Sequence, residues 1–329
     1  MRFYTNAQVV GNSVVVRGYD NKRPFSEKIR YKPRMFVPSN TEKSDGEWST
    51  IYGQKLERID FDSIGDAKEF VKSYSGVSNF KIYGSDKFLY TFINEHFPDE
   101  VVYDQSLINV AYIDIEVSSA NGFPAVERAA DEVISITLKK NNIFHVWGYH
   151  DYVPKRKDVF YYQCNNEREL LTKFVSEWAH EQYPDVITGW NISFFDIPYL
   201  VKRMITVLGE DEMKRFSPWK SVRERQVTIL NKEHTTFDIG GVATLDYLEL
   251  YRKFTYSQQE SYRLDHIANV ELNERKLSFA EYGNIFTLIS NKSKKIEVDP
   301  NKDVREMADF EKWCLMRDRI RLELERRKK

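Results

Sequence analysis

Residues 109–122 read NVAYIDIEVSSANG, and the two acids inside this apolar run decide how the chain is read. On a strand, residues i and i+2 point to the same face. Asp114 and Glu116 therefore share a face with Tyr112, while Ile113, Ile115 and Val117 point the other way. Two like charges side by side repel each other and resist desolvation. A bound divalent cation answers both problems, and hard carboxylate oxygens suit Mg²⁺ or Mn²⁺. The plainer alternative is the solvent-exposed face of an edge strand.

Working outward, VAYIDIEV is followed by EVISITLK and IFHVWGYH, three strand candidates joined by NG- and NN-type turns. ERELLTKFVSEWAHEQ has a helical pattern, PDVITGW reads as a short buried strand, and NISFFDIPYLVKRMITVLG leads into a second helix. Strand, hairpin, helix, strand, helix predicts an α/β domain with a mixed central sheet. TTFDIGGVATLDYLELYRKF reads as a strand or hairpin running into a helix, and SYRLDHIANVEL as another helix. Upstream, residues 1–60 break into short strand-like runs, and VSNFKIYGSD at 77–86 continues that pattern. SIGDAKEFVKSYSG between them is helical. Residues 1–108 are thus expected to form a smaller α+β domain rich in antiparallel strands, and residues 109–329 the larger one. The tail from 291 begins with a polar break and predicts one long charged helix to Lys329.

Composition narrows the classes without choosing one. The chain has 329 residues, enough for two domains. Its 49 basic and 50 acidic residues leave a formal charge of -1, which neither recommends nor excludes nucleic acid. Cys164 and Cys314 lack metal-ligand spacing and read as free thiols of a reducing compartment. The start, MRFYTNAQVV, lacks the regions of a signal peptide, and no run approaches the roughly 20 apolar residues of a membrane span. A soluble intracellular protein with no membrane partner is the expectation. His145, His150, His180, His234 and His266 form no HExxH, and neither GxxxxGK[ST] nor GxSxG occurs.

Two further acids are candidates beside the strand pair. Asp196 lies in TGWNISFFDIPYL, near the start of a helix, where an acid is ordinarily a favourable partner of the helix dipole. Its bulky neighbours Phe194, Phe195, Ile197 and Pro198 suggest a packed setting instead. Asp318, in WCLMRDRIRLEL, sits among Arg317, Arg319 and Arg321, where a surface ion pair is the competing reading. The acids alone leave open both metal-dependent phosphoryl transfer and an ordinary set of charged side chains.

Taken in order, YIDIEVSSANGFP, ITGWNISFFDIPYL, DIGGVATLDYLELYRKFTY and ESYRLDHIA resemble the amino-terminal part of family B DNA polymerases, in particular those of T4-like bacteriophages. They cover most of residues 109–270, and the first 108 residues resemble that family's amino-terminal domain. The resemblance implies a 3′→5′ proofreading exonuclease of RNase H-like fold. Asp114 and Glu116 match its first motif, and Asp196 matches the acid of the second, N-x-x-x-F-D, with Asn191 and Phe195 also agreeing. Phe123 falls in the loop that in relatives approaches the substrate's terminal bases. The third motif, Y-x-x-x-D, is met only by Cys314 and Asp318, with cysteine in the tyrosine's place.

By the same resemblance, two Mg²⁺ or Mn²⁺ ions are the implied cofactors. Asp114, Glu116, Asp196 and Asp318 are the implied ligands, and a single-stranded or frayed primer-template end is the implied substrate. The palm signatures D-x-x-S-L-Y-P-S and Y-x-D-T-D are not found in the 329 residues. A split or interrupted polymerase is therefore expected, with a carboxy-terminal fragment supplying palm, fingers and thumb. That fragment would carry any sliding-clamp contact. The expected location is the cytoplasm of an infected bacterial host. A catalytically inactive structural or DNA-binding subunit, and an RNA-binding translational regulator acting on mRNA, remain the alternatives.

Overall fold

The computed structural model of the chain describes residues 1–39, 48–118, 124–149, 151–154, 156–180, 182–229 and 231–274. They form two compact units. The first comprises Met1–Ile108 together with Ser217–Trp219 and Gly240–Ala243, two short segments drawn from far along the chain. The second holds the remaining described residues from Asn109 onward.

In the first unit, strands β1 (Arg2–Val10), β2 (Ser13–Asp20) and β3 (Arg23–Arg30) make an antiparallel sheet in that order. Both connections are two residues long. Asn21 and Lys22 each take positive φ, the geometry of a tight hairpin turn whose twist matches the strands it joins. A second antiparallel pair, β4 (Arg34–Pro38) with β5 (Leu56–Asp60), lies beside helices α1 (Ile64–Tyr74) and α2 (Phe88–His96) in sequence. Ser63 caps α1 by accepting from the Asp66 amide at 3.1 Å. Val14, Val16, Tyr31, Met35, Ile64, Phe88 and Phe92 form the core. The strand expected at 77–86 is absent: only an isolated bridge, Phe36 to Tyr83, occurs there. Asn79 and Gly84 both take positive φ, which breaks extension, and Phe80 packs on Phe70 and Tyr74 instead.

The second unit is built on a mixed six-stranded sheet. Its members are β6 (Val110–Val117), β7 (Val133–Lys140), β8 (Ile143–Gly148), β9 (Val159–Gln163), β10 (Val186–Gly189) and β13 (Ala243–Asp246), in the spatial order β13-β10-β6-β7-β8-β9. β6 to β8 are antiparallel, whereas β10 runs parallel to β6 and β9 parallel to β8. Asn141 and Asn142, both with positive φ, supply the tight β7–β8 turn. A two-stranded hairpin of β11 (Val222–Ile229) and β12 (Lys232–Ile239) stands apart from this sheet. Helices α3 (Glu167–Trp178), α4 (Asp196–Leu208), α5 (Glu210–Lys214), α6 (Tyr247–Phe254) and α7 (Leu264–Leu272) complete the unit.

Burial along β6 alternates as the sequence predicts. Ala111, Ile113, Ile115 and Val117 are buried, while Tyr112 and Asp114 are exposed and Glu116 is half-buried. On the apolar side, Ile115 pairs with Ile136 and Ile136 with Trp147. Trp147 meets Phe174 of α3 edge to face at 5.5 Å, and Trp178 donates its indole N–H to the Phe216 carbonyl at 2.8 Å. Each such large side chain contributes about 1.5–3 kcal/mol through burial. One face of the sheet therefore supports the fold and leaves the other for the acids. The long tail helix expected after 291 lies outside the described residues.

Candidate active site

β6 lies inside its sheet between β10 and β7, with Asp114 on it exposed and Glu116 half-buried. The cross-strand partners of Asp114 and Glu116 on β7 are Thr137 and Ser135, small hydroxyl residues that leave room above the sheet. β10 pairs with β6 only as far as Thr188 opposite Tyr112. It then turns away at Gly189, where a Cβ would stand 2.5 Å from Ile192 Cγ2 and 2.6 Å from the Ile113 carbonyl oxygen. Only glycine permits that approach.

The turn brings Asp196 back to β6. Its Oδ1 accepts the Ile115 N–H at 3.0 Å, just past the last residue paired with β10. Asp196 is 5% exposed. Burial raises its pKa well above the ordinary carboxylate range, and the negative field of Asp114 raises it further. Hydrogen bonds from the Ile115 amide and its own amide pull the other way, while Glu116 adds to the rise. The packed setting suggested by the neighbours of Asp196 is thus the observed one, at the first residue of α4.

Asn191 takes φ +63° and its carbonyl accepts from the amides of Phe194 and Phe195, closing the turn. Phe195 stacks on Tyr199 with centroids 5.7 Å apart. Phe123, Cys314 and Asp318 lie outside the described residues. Asp114, Glu116 and Asp196 are therefore the three acids brought into one electrostatic neighbourhood.

The chemistry of this donor set suits a hard divalent cation: carboxylate oxygens, with mutual repulsion that a positive charge would reverse. The geometry is less complete. Among the described residues, no group of three or more His, Cys, Asp or Glu side chains is disposed to hold a metal ion.

Sequence reasoning missed the residues that brace this arrangement. Arg203, two turns after Asp196 on α4, donates through Nε to Glu167 Oε1 at 2.8 Å and through Nη2 to Glu167 Oε2. Its Nη1 donates to the carbonyls of Ala129 and Ala130 at 3.1 and 3.2 Å. Glu167 Oε1 also accepts from the Val133 amide, and the Tyr199 hydroxyl both donates to and accepts from the Asp131 backbone. Together they fasten the segment leading into β7. No local signal marks a pair 36 residues apart. Asp246 was also overlooked, although Asp followed three residues later by Glu249, ahead of an apolar pattern, is a helix-start signature.

Residues 93–267 match the exonuclease domain of DNA polymerase family B. The chain is 30% identical over 305 residues to the DNA-directed DNA polymerase of Escherichia phage RB69 and, to the same extent, to that of Enterobacteria phage T4. Each alignment takes in 84% of this chain and 33% of the relative, so the sequence spans about a third of the length of those proteins. A DNA polymerase delta catalytic subunit of Caenorhabditis elegans is 32% identical over 121 residues, 35% of this chain and 11% of that protein. Family membership implies metal-dependent catalysis in general terms, and among the described residues no helix is long and apolar enough to cross a membrane. With a mixed sheet that carries paired acids on its central strand and a third acid returned to it by the next helix, the chain belongs to the exonuclease-domain family of the family B DNA polymerases.

Proposed function

We propose that the chain carries a 3′→5′ DNA exonuclease that removes terminal nucleotides from single-stranded or frayed primer ends. One observation carries this reading: buried Asp196 is bonded through Oδ1 to the Ile115 amide of the strand that presents Asp114 and Glu116, which sets three carboxylates in one field. Such repulsion is costly unless a cation uses it. Asp114, Glu116 and Asp196 would hold two Mg²⁺ or Mn²⁺ ions, with Asp318 as a fourth ligand. Bound there, such ions would lower the pKa of water and stabilise the departing oxygen.

The chain's own residues have placement as their main task. Ile115 fixes Asp196 through its amide, and the apolar side of β6 holds Asp114 and Glu116 toward the substrate. In the reaction, the water oxygen bonds to phosphorus, the P–O3′ bond breaks, and the new 3′ hydroxyl takes the proton. A deoxynucleoside monophosphate leaves. Phe123, Asn191 and Phe195 would contact the terminal nucleotides, and stacking on an aromatic ring contributes about 1–3 kcal/mol per base with little sequence preference. Polymerisation belongs to the part of the relatives that this sequence does not cover. The exonuclease is proposed to work with a palm that hands it the primer end.

The test is release of a 3′-labelled nucleotide from a single strand in Mg²⁺, comparing the chain with Asp114→Ala. Partners that merely orient metal ligands are worth about 10- to 100-fold, so loss of a ligand itself is expected to cost at least 100-fold. Equal rates would remove Asp114 from the site. The want of a three-ligand group among the described residues favours a second reading, an inactive DNA-binding domain. That reading predicts strand binding with no release by either form.

A further inference from the structure

We infer that Asp246 is the positioning residue for the turn that delivers Asp196 to β6, an inference that rests on the exonuclease reading above. Asp246 ends β13 and precedes α6, and it is 2% exposed. Its Oδ1 accepts the Leu248 amide at 2.9 Å, an ordinary cap for α6. The cap does not account for the rest of its bonding. Oδ1 also accepts the Asn191 amide at 3.0 Å, and Oδ2 accepts the Ser193 amide at 2.8 Å. Those two donors lie 55 and 53 residues upstream, in the turn between β10 and α4.

That turn is six residues of path, 190–195, from the strand end to the site acid. It contains a non-glycine residue with φ +63°, which a turn of free backbone rarely adopts. Besides the turn's own bonds to the Asn191 carbonyl and the Trp190 indole bond to the Tyr262 carbonyl, three contacts fix its course. Gly189 lies against the Ile113 carbonyl at its start, Asp246 gathers the amides of Asn191 and Ser193 in its middle, and Asp196 bonds the Ile115 amide at its end. Asp246 supplies the middle restraint, with two oxygens that accept three N–H groups. An asparagine has one acceptor oxygen, and a serine reaches no farther than its own helix cap. Through Asp196, Asp246 fixes where the third carboxylate stands, without touching metal or DNA.

Asp246→Ser separates the two roles, because serine keeps the α6 cap and gives up the bonds to the turn. Three quantities are measured on the full chain: amide hydrogen exchange without metal or DNA, Mn²⁺ affinity by calorimetry, and exonuclease kcat and KM. The thermal midpoint is expected to fall by several degrees while the chain stays folded, because two amides lose their acceptor. Protection of the Asn191, Ser193 and Ile115 amides falls, Mn²⁺ affinity drops by about 10- to 100-fold, and kcat falls while KM for the strand holds. Asp246→Asn, which keeps the volume and one acceptor, gives the same changes at smaller amplitude and serves if the serine variant does not fold. Unchanged protection at Ile115 in either variant would overturn the inference. The exchange measurement needs neither metal nor activity, so it decides the role of Asp246 even if the chain proves not to be a nuclease.

Discussion

Glu167 and Asp196 are buried almost equally, 6% and 5% exposed, in the same compact unit, yet their surroundings are opposite in sign. Glu167 takes two hydrogen bonds from the Arg203 guanidinium and one from the Val133 amide, and it holds the Arg203 pKa above its usual value. Asp196 has the Ile115 amide and its own, and beyond them the negative fields of Asp114 and Glu116. Both acids bear on helix α4, Asp196 as its first residue and Glu167 through Arg203. A buried carboxylate with a cation already built in is a fastening. A buried carboxylate facing other carboxylates is held against their repulsion, and the proposed function assigns that repulsion to a cation. The difference shows that burial of charge alone does not mark function; the sign of the neighbours does.

The largest effect should come from breaking the fastening. Arg203→Met takes the guanidinium from buried Glu167 and leaves it the Val133 amide, and unfolding in urea should show a loss of about 3–5 kcal/mol. The double variant with Glu167→Leu should recover much of it, since an apolar pair of similar volume can match a buried ion pair. A cost under 1 kcal/mol for the single change would mean that Glu167 is not held as described.

A smaller effect is expected at the hinge between the two neighbourhoods. Gly189→Ala drives a methyl group into the Ile113 carbonyl and Ile192, which overpacks the turn by about 1–3 kcal/mol. The displacement should also lower exonuclease kcat, because Asp196 travels with that turn. Normal stability with normal kcat would show that the strand and the turn are not in such close contact.

The smallest effect has the opposite sign. The pKa of Asp196 is raised on folding, so the folded chain binds more protons than the unfolded one between the ordinary carboxylate value and the raised value. In metal-free buffer, stability is therefore greatest below that window and declines as pH rises through it. Asp196→Asn removes the repulsion and keeps an oxygen for the Ile115 amide. Its thermal midpoint at neutral pH should exceed the parent's by about 2–4 °C, with a flatter pH dependence, while nuclease activity is lost. A lower midpoint than the parent at every pH would argue against stored repulsion.

Much of this was legible in the sequence because the informative patterns are short-range. The period-2 alternation of VAYIDIEV placed Asp114 and Glu116 on one face, and the Asn141–Asn142 turn placed β7 against β8. The Phe-rich approach to Asp196 pointed to its packed setting. What was not legible depends on residues far apart. Glu167 and Arg203 look like ordinary members of two charged helices until the helices pack. Asp246 reads as a cap, and two of its three bonds are invisible without the turn it holds. The strand expected at 77–86 failed because Asn79 and Gly84 take positive φ, a backbone choice that apolar alternation does not report. The third motif, with Cys314 and Asp318, lies outside the described residues.

The central claim is that the repulsion around Asp196 is relieved by a divalent cation. Its most direct test is the thermal midpoint of the DNA-free chain against Mn²⁺ concentration, for the parent and for Asp196→Asn. The parent should be stabilised as the ion is added, by about 2.7 kcal/mol at a hundred times the dissociation constant, and the variant far less. No stabilisation of the parent, or the same stabilisation in both, would contradict the account.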